Sequence, residues 1–208
     1  MGKISKNIYI LVLFFVLTIF FTYPLTFRMN RVIPGFSSTD EPYAVTSYMW
    51  LVRYCQENDF DLRKCDFIAY PSGVNLKDYA GTSHLWEFIK KFLTILSNHI
   101  FAFNLLIFLG FVLSGWFTYL LTYRITQSNL AAILSGLIFA FSPYHFARSW
   151  QHLSLSHIQW IPLYLLSLLC LKDKSSIKNI LFVAFSLFLL SSFNFYYAYL
   201  MVIATATF

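Results

Sequence analysis

The sequence predicts an all-α, polytopic membrane helix bundle of about five to six transmembrane helices, with interfacial helices in a long first outer loop. Three observations carry this. Hydrophobic residues make up 58% of the 208-residue chain and charged residues only 12%, where a soluble globular domain carries about 25% charged residues. The mean hydropathy is +0.62. Finally, the apolar residues fall in runs of about the 17 to 25 residues that a helix needs to cross a bilayer, and the charges flank those runs.

The runs are, in order, Ile8 to Leu25, Ile100 to Tyr123, Asn129 to Ala147, Leu153 to Leu171 and Ile177 to Ser192. A sixth, Tyr197 to Phe208, is too short to cross. The expectation is therefore a single transmembrane domain over 1–208 that forms the N-terminal portion of a longer protein. Lys and Arg set its orientation. With the N-terminus in the cytoplasm, the inner side receives Lys3, Lys6, Arg124, Lys172, Lys174 and Lys178, and the short outer loop after the third run receives only Arg148. Lys3 and Lys6 before an apolar run also resemble a signal peptide, but no small-residue cleavage site follows, which favours an uncleaved first helix.

This orientation makes residues 27–99 an extracytoplasmic loop. A segment so long is expected to hold structure of its own. Pro42 suits a helix start, and the residues up to Tyr54 carry Tyr43, Val45, Tyr48, Met49, Leu51 and Val52. Leu85, Phe88, Ile89, Phe92, Leu93 and Leu96 form an apolar helical stripe, with Lys90 and Lys91 on another face. Trp50 and Trp86 suit the headgroup level of two interfacial helices. Between them Tyr70, Pro71, Ser72, Gly73, Val74 and Asn75 read as a turn.

Charge is scarce, so the acidic pair Asp40 and Glu41, fifteen residues past Leu25, stands out. A carboxylate near the bilayer surface suits a general base acting on a lipid-linked substrate. A solvated turn is its ordinary structural reading. The net charge of +6 does not indicate a nucleic-acid partner, because the basic residues form no stripe. No glycine-rich phosphate loop is present, which argues against a nucleotide-sugar donor.

Tyr23-Pro24-Leu25, Pro34-Gly35, Asp40-Glu41, Trp50, Tyr70-Pro71-Ser72-Gly73 to Leu76, Phe141-Ser142-Pro143-Tyr144, His152-Leu153, Gln159 to Leu163, and Ser191-Ser192 followed by Tyr196-Tyr197 carry, in this order, a resemblance to the N-terminal half of the GT-C superfamily of integral-membrane glycosyltransferases, in particular its uncharacterised prokaryotic branch. It implies transfer of a sugar from a polyprenyl-phosphate carrier to an acceptor on the extracytoplasmic face, with the catalytic carboxylate at Asp40 or Glu41. Such a base would accept the acceptor's proton in a single inverting displacement. Donors must then meet the departing phosphate. His145, Arg148 and His152 suit that task, and the hydroxyls of Tyr196 and Tyr197 suit positioning of donor or acceptor.

Alternatives attach to each residue. A divalent cation, Mg or Mn, can bridge Asp40 and Glu41, with Asp59, Asp61, Asp66 and Asp78 as further oxygen ligands; family members differ in metal use, so no cofactor is assigned. His145, His152 and His157 stand seven and five residues apart, which matches no standard zinc motif. Arg148 also reads as a snorkelling side chain at a helix end. Cys55 and Cys65 either form a disulfide or remain two thiols, while Cys170 reads as a packing residue. Two other classes stay open: a transporter or flippase for lipid-linked glycans, and a non-catalytic membrane subunit. The expected partners are the lipid bilayer and a polyprenyl-phosphate-linked sugar; oligomeric state is not legible.

Overall fold

The computed structural model describes residues 3–35, 41–76, 88, 89, 92, 93 and 97–206. Among these the chain is helical, with one isolated backbone bridge between Cys65 and Val74. The helices are α1 (Lys3–Phe21), α2 (Glu41–Glu57), α3 (His99–Thr126), α4 (Asn129–Ala140), α5 (Pro143–Gln151), α6 (Leu153–Ser156), α7 (Trp160–Asp173), α8 (Ile177–Phe193) and α9 (Phe195–Thr205). Among the described residues two runs are long and apolar enough to cross a membrane: α3, and the stretch Asn129–Gln151 that α4 and α5 share.

At 28 residues α3 is the longest helix, roughly 42 Å at 1.5 Å per residue, and α1, α2, α4, α6 and α7 all pack on it. The Asn98 side chain caps its start by accepting from Phe101 N at 2.8 Å. Gln127 ends it in the left-handed region, φ 55°, and its N–H returns to Tyr123 O. Ser128 then caps α4. Two residues thus suffice to reverse the chain, and α3 and α4 lie side by side.

That contact is made close by two glycines. A Cβ on Gly136 would lie 2.7 Å from Gly115 O, so the helix backbones meet directly. Small residues permit such approaches between apolar helices. The fully buried Phe14 of α1 fills the remaining notch against both glycines. Ile10, Tyr119 and Ala132 complete this cluster. Since Ile10 packs near Tyr119 and Phe15 meets Phe108 at 5.2 Å, α1 runs antiparallel to α3.

A second group joins α7, α8 and α9 around Tyr164, Leu168, Leu190 and Ala198. Buried hydroxyls bond between helices, Ser167 to Ser186 at 2.8 Å and Tyr164 to Thr205 at 2.9 Å. Arg124 at the end of α3 pairs with Asp173 at the end of α7. The start of α1 and the ends of α3 and α7 therefore share one end of the bundle.

Several expected runs are shorter or broken. The first helix stops at Phe21 rather than Leu25; a cis Tyr23–Pro24 bond and a 3₁₀ turn over Leu25–Arg28 follow. The third run breaks because Ser142 caps a new helix by accepting from His145 N, with Pro143 in its first turn. The fourth is divided between α6 and α7 at His157 to Gln159. Asn194 ends α8 and caps α9, bonding Tyr197 N at 3.0 Å and donating to Ser154 O at 2.9 Å.

In the loop after the first helix, the helix expected from Pro42 is α2. The turn at Tyr70 to Gly73 is also present, with Gly73 at φ 68° and its N–H bonded to Ala69 O at 3.0 Å. A Cβ on Gly73 would come within 2.6 Å of Asp66 Oδ1, which explains the glycine. Of the stripe expected at Leu85 to Leu96, the described residues Phe88, Ile89, Phe92 and Leu93 are helical, and Ile89 and Leu93 pack near Phe103 and Ile107.

Candidate functional site

A cleft of about 300 Å³ opens where the end of α1 and the following segment meet α3 and α5. Its walls include Phe21, Pro24, Val32, Ile107, Phe111, Phe146 and Trp150, and Arg28 is its one cationic lining residue among the described residues. Asn98, which caps α3, and Asn104 within it hold one wall in place. Asn104, fully buried, donates to Met29 O at 2.8 Å and Val32 O at 2.7 Å, and Asn98 donates to Asn30 O at 3.3 Å. Gly35 lines the cleft, and only five residues separate it from Glu41 at the start of α2. At no more than about 3.6 Å per residue, that connection keeps Glu41 within roughly 20 Å of the rim.

Helical spacing gives α5 three functions on three faces, since residues four apart lie nearly in line. Phe146 and Trp150 line the cleft. His145 and Ser149 are buried, 1% and 0% exposed. The His145 ring stacks on Phe111 at 3.9 Å, and its Nδ1 donates to Ala140 O at 2.7 Å. This histidine is a packing element that ties α5 to α3 and to the end of α4. Tyr144 and Arg148 form the third face, with the guanidinium 5.2 Å from the Tyr144 ring centre.

This third face meets α9. The hydroxyls of Tyr144 and Tyr197 are 2.7 Å apart, and Tyr197 donates to Leu155 O at 2.8 Å. Arg148 Nε is buried with no hydrogen-bond partner among the described residues. A buried cationic donor left unpaired is costly. An anionic oxygen would satisfy it with a charge-assisted bond.

A polar seam continues inside the bundle. Gln159 donates to His157 Nδ1 at 3.2 Å, and both side chains are 2% exposed. Gly110 of α3 faces this seam: a Cβ there would make ordinary contacts, 3.6 Å from Gln159 Oε1 and 3.9 Å from His145 Nε2. Gln159 Oε1, Ser114 Oγ and Thr118 Oγ1 have no hydrogen-bond partner among the described residues.

The structure thus joins Arg148 and Tyr197, with Tyr144 between them. It sets His145 apart in the packed interior. His152 is exposed at the end of α5, where its N–H bonds Arg148 O at 2.8 Å, and Tyr196 is 74% exposed. Asp40 lies outside the described residues, as does the Glu41 side chain, and so does any metal site built on them. Among the described residues no three His, Cys, Asp or Glu side chains are grouped to hold a metal ion. Sequence reasoning missed Arg28 and Trp150, because nothing local ties them together. Tyr144 appeared only as part of a motif.

A family model described as "Domain of unknown function (DUF6311)" matches residues 46–208. No curated protein and no solved structure matches the chain.

Proposed function

Since the chain belongs to the DUF6311 family, whose description names no reaction, we propose from its own residues that it is a GT-C-like membrane glycosyltransferase using a polyprenyl-phosphate-linked sugar. The cleft is the observation that carries this reading. An apolar channel with a single cation at its wall suits a lipid tail that ends in phosphate. On another face, the same helix that walls the cleft presents Arg148, whose buried Nε has no hydrogen-bond partner among the described residues. The short connection from Gly35 tethers Asp40 and Glu41 to the rim.

In this reading α3 and the Asn129–Gln151 stretch are two spans of a five-to-six-span bundle, completed by α1, α7, α8 and α9. The N-terminus is cytoplasmic. The shared end formed by the start of α1 and the ends of α3 and α7 supports this, since the basic residues of the short inner loops belong to that end. The cleft then faces the extracytoplasmic side. Asp40 is the general base, Glu41 shapes the loop, Arg28 meets the carrier phosphate at the cleft wall, and Arg148, on the face of α5 toward α9, binds an anionic oxygen of donor or acceptor apart from it.

The test is Asp40→Asn, assayed in membranes with polyprenyl-monophosphate-linked hexoses. Loss of a general base lowers the rate by about 10² to 10⁴. Unchanged transfer with normal membrane insertion removes the proposal.

A transporter for lipid-linked glycans is the second reading. The breaks at Ser142, at His157 to Gln159 and at Asn194, beside the buried polar seam, favour it, because transporters build sites from interrupted helices. In that case movement of a lipid-linked hexose across proteoliposome membranes persists in Asp40→Asn and falls in Gln159→Leu.

A further inference from the structure

α2 and the loop that follows it share a small core of their own. Leu51 and Cys55, one turn apart on α2, meet Cys65 and Leu76. Backbone bonds hold the register: Phe60 N–H reaches Cys55 O at 2.9 Å, and Cys65 and Val74 exchange bonds of 2.9 and 3.0 Å. Leu76 N–H reaches Leu62 O at 2.8 Å. Inside this frame the two cysteines are neighbours in one buried cluster. Cys55 is fully buried and Cys65 is 2% exposed. The structure holds both as free thiols.

We propose that Cys55 and Cys65 are an oxidation site and that the protein on the outer face carries them as a disulfide stapling α2 to its loop. The proposal rests on the outward placement of residues 27–99 in the reading above. A core this small buries few apolar side chains, and small extracytoplasmic units compensate with cross-links. The staple also fixes the C-terminal end of the helix that starts at Glu41.

The oxidant is the disulfide of a thiol oxidoreductase. One cysteine, as thiolate, attacks that disulfide; a mixed disulfide forms and one oxidant sulfur leaves as a thiol. The second cysteine then attacks the mixed disulfide, forming the Cys55–Cys65 bond and releasing the other oxidant sulfur. Two protein thiols are oxidised, one disulfide is reduced to two thiols, and the protons pass to the departing sulfurs. Because both sulfurs are shielded in the folded loop, oxidation precedes its closure, and the bond afterwards resists reductants in the native protein.

Full-length protein is acid-quenched from membranes, denatured, and alkylated with iodoacetamide before or after reduction, then digested and weighed. The expected result is Cys170 alkylated without reductant, Cys55 and Cys65 only after it, and a cross-linked peptide joining the two. In Cys55→Ser, Cys65 is alkylated without reductant. Free Cys55 and Cys65 in the denatured unreduced wild type overturn the proposal, and so does a Cys65 that stays blocked in Cys55→Ser. In parallel, Thr39→Cys in a background without the other cysteines is labelled on intact cells by a membrane-impermeant maleimide. Labelled Thr39→Cys with free Cys55 and Cys65 defeats the disulfide alone; label entering only after the inner face is opened defeats the outward placement and the disulfide with it.

Discussion

The hydroxyl of Tyr144 donates to the hydroxyl of Tyr197, 2.7 Å away, and the direction follows from the third partner. Tyr197 has one proton and gives it to Leu155 O at 2.8 Å, so the proton between the tyrosines comes from Tyr144. This chain of two bonds joins α5, α6 and α9 beside Arg148.

The two tyrosines therefore differ in cost. Tyr197→Phe removes both bonds and destabilises by about 1 to 3 kcal/mol, while Tyr144→Phe removes one and costs about 0.5 to 1.5 kcal/mol. Thermal unfolding in detergent, followed by circular dichroism, checks the order. Equal effects would contradict the assigned direction.

The glycine contacts make a sharper prediction. A Cβ on Gly115 meets the Phe14 ring, whereas one on Gly136 also meets Gly115 O at 2.7 Å. Both Gly→Ala variants lose about 1 to 3 kcal/mol through overpacking. Phe14→Leu partly rescues Gly115→Ala, since the side chain that clashes is smaller, and rescues Gly136→Ala less, since a backbone oxygen cannot retreat. A double-mutant cycle measures the difference.

Burial, with Cys65 beside it, raises the Cys55 thiol above its ordinary 9.0. The unfolded chain then loses this proton at lower pH than the folded one. In the reduced protein stability is accordingly full below the unfolded thiol's pKa and falls as pH rises through it, until the folded thiol also ionises. Unfolding of reduced wild type and Cys55→Ala, compared from pH 7 to about 10, should show a steeper decline in wild type. Under oxidising conditions wild type should lose its steeper decline, because Cys55 is then no longer a thiol that titrates.

Under the proposed transferase reading, the cleft predicts separable effects on transfer. Ile107→Trp fills its wall and should lower activity toward long-chain carriers more than toward short ones. Arg28→Gln removes its cation and should raise KM for the donor by about tenfold, equivalent to about 1.4 kcal/mol of lost binding. Initial rates across a series of carrier lengths check both. A uniform loss in both variants would mean that the cleft does not hold the carrier.

Much of the fold was legible because its signals are local. Apolar runs bounded by charges marked α3 and α8 to within a few residues, and the Tyr70 to Gly73 turn followed from proline and glycine chemistry. Ser142 and Pro143 carried a helix-start signal too, but it lay inside a run whose averaged hydropathy read as continuous. Asn194 was obscured in the same way between two apolar helices. His145 looked like an outer-loop donor because it stands at the end of an apolar run, three residues before Arg148; the structure buries it on Phe111, 34 residues earlier in the chain.

The sequence by itself determined the helical class, the membrane-compatible apolar runs and the scarcity of charge, since these follow from residue type and short-range periodicity. Only the tertiary structure decided that Phe14 seals two glycines, that Asn104 holds the wall of a cleft, that Tyr144 bonds Tyr197 and that Cys55 meets Cys65. Those relationships depend on which faces of separate helices come together, and that is set by packing and by satisfaction of buried polar groups across tens of residues.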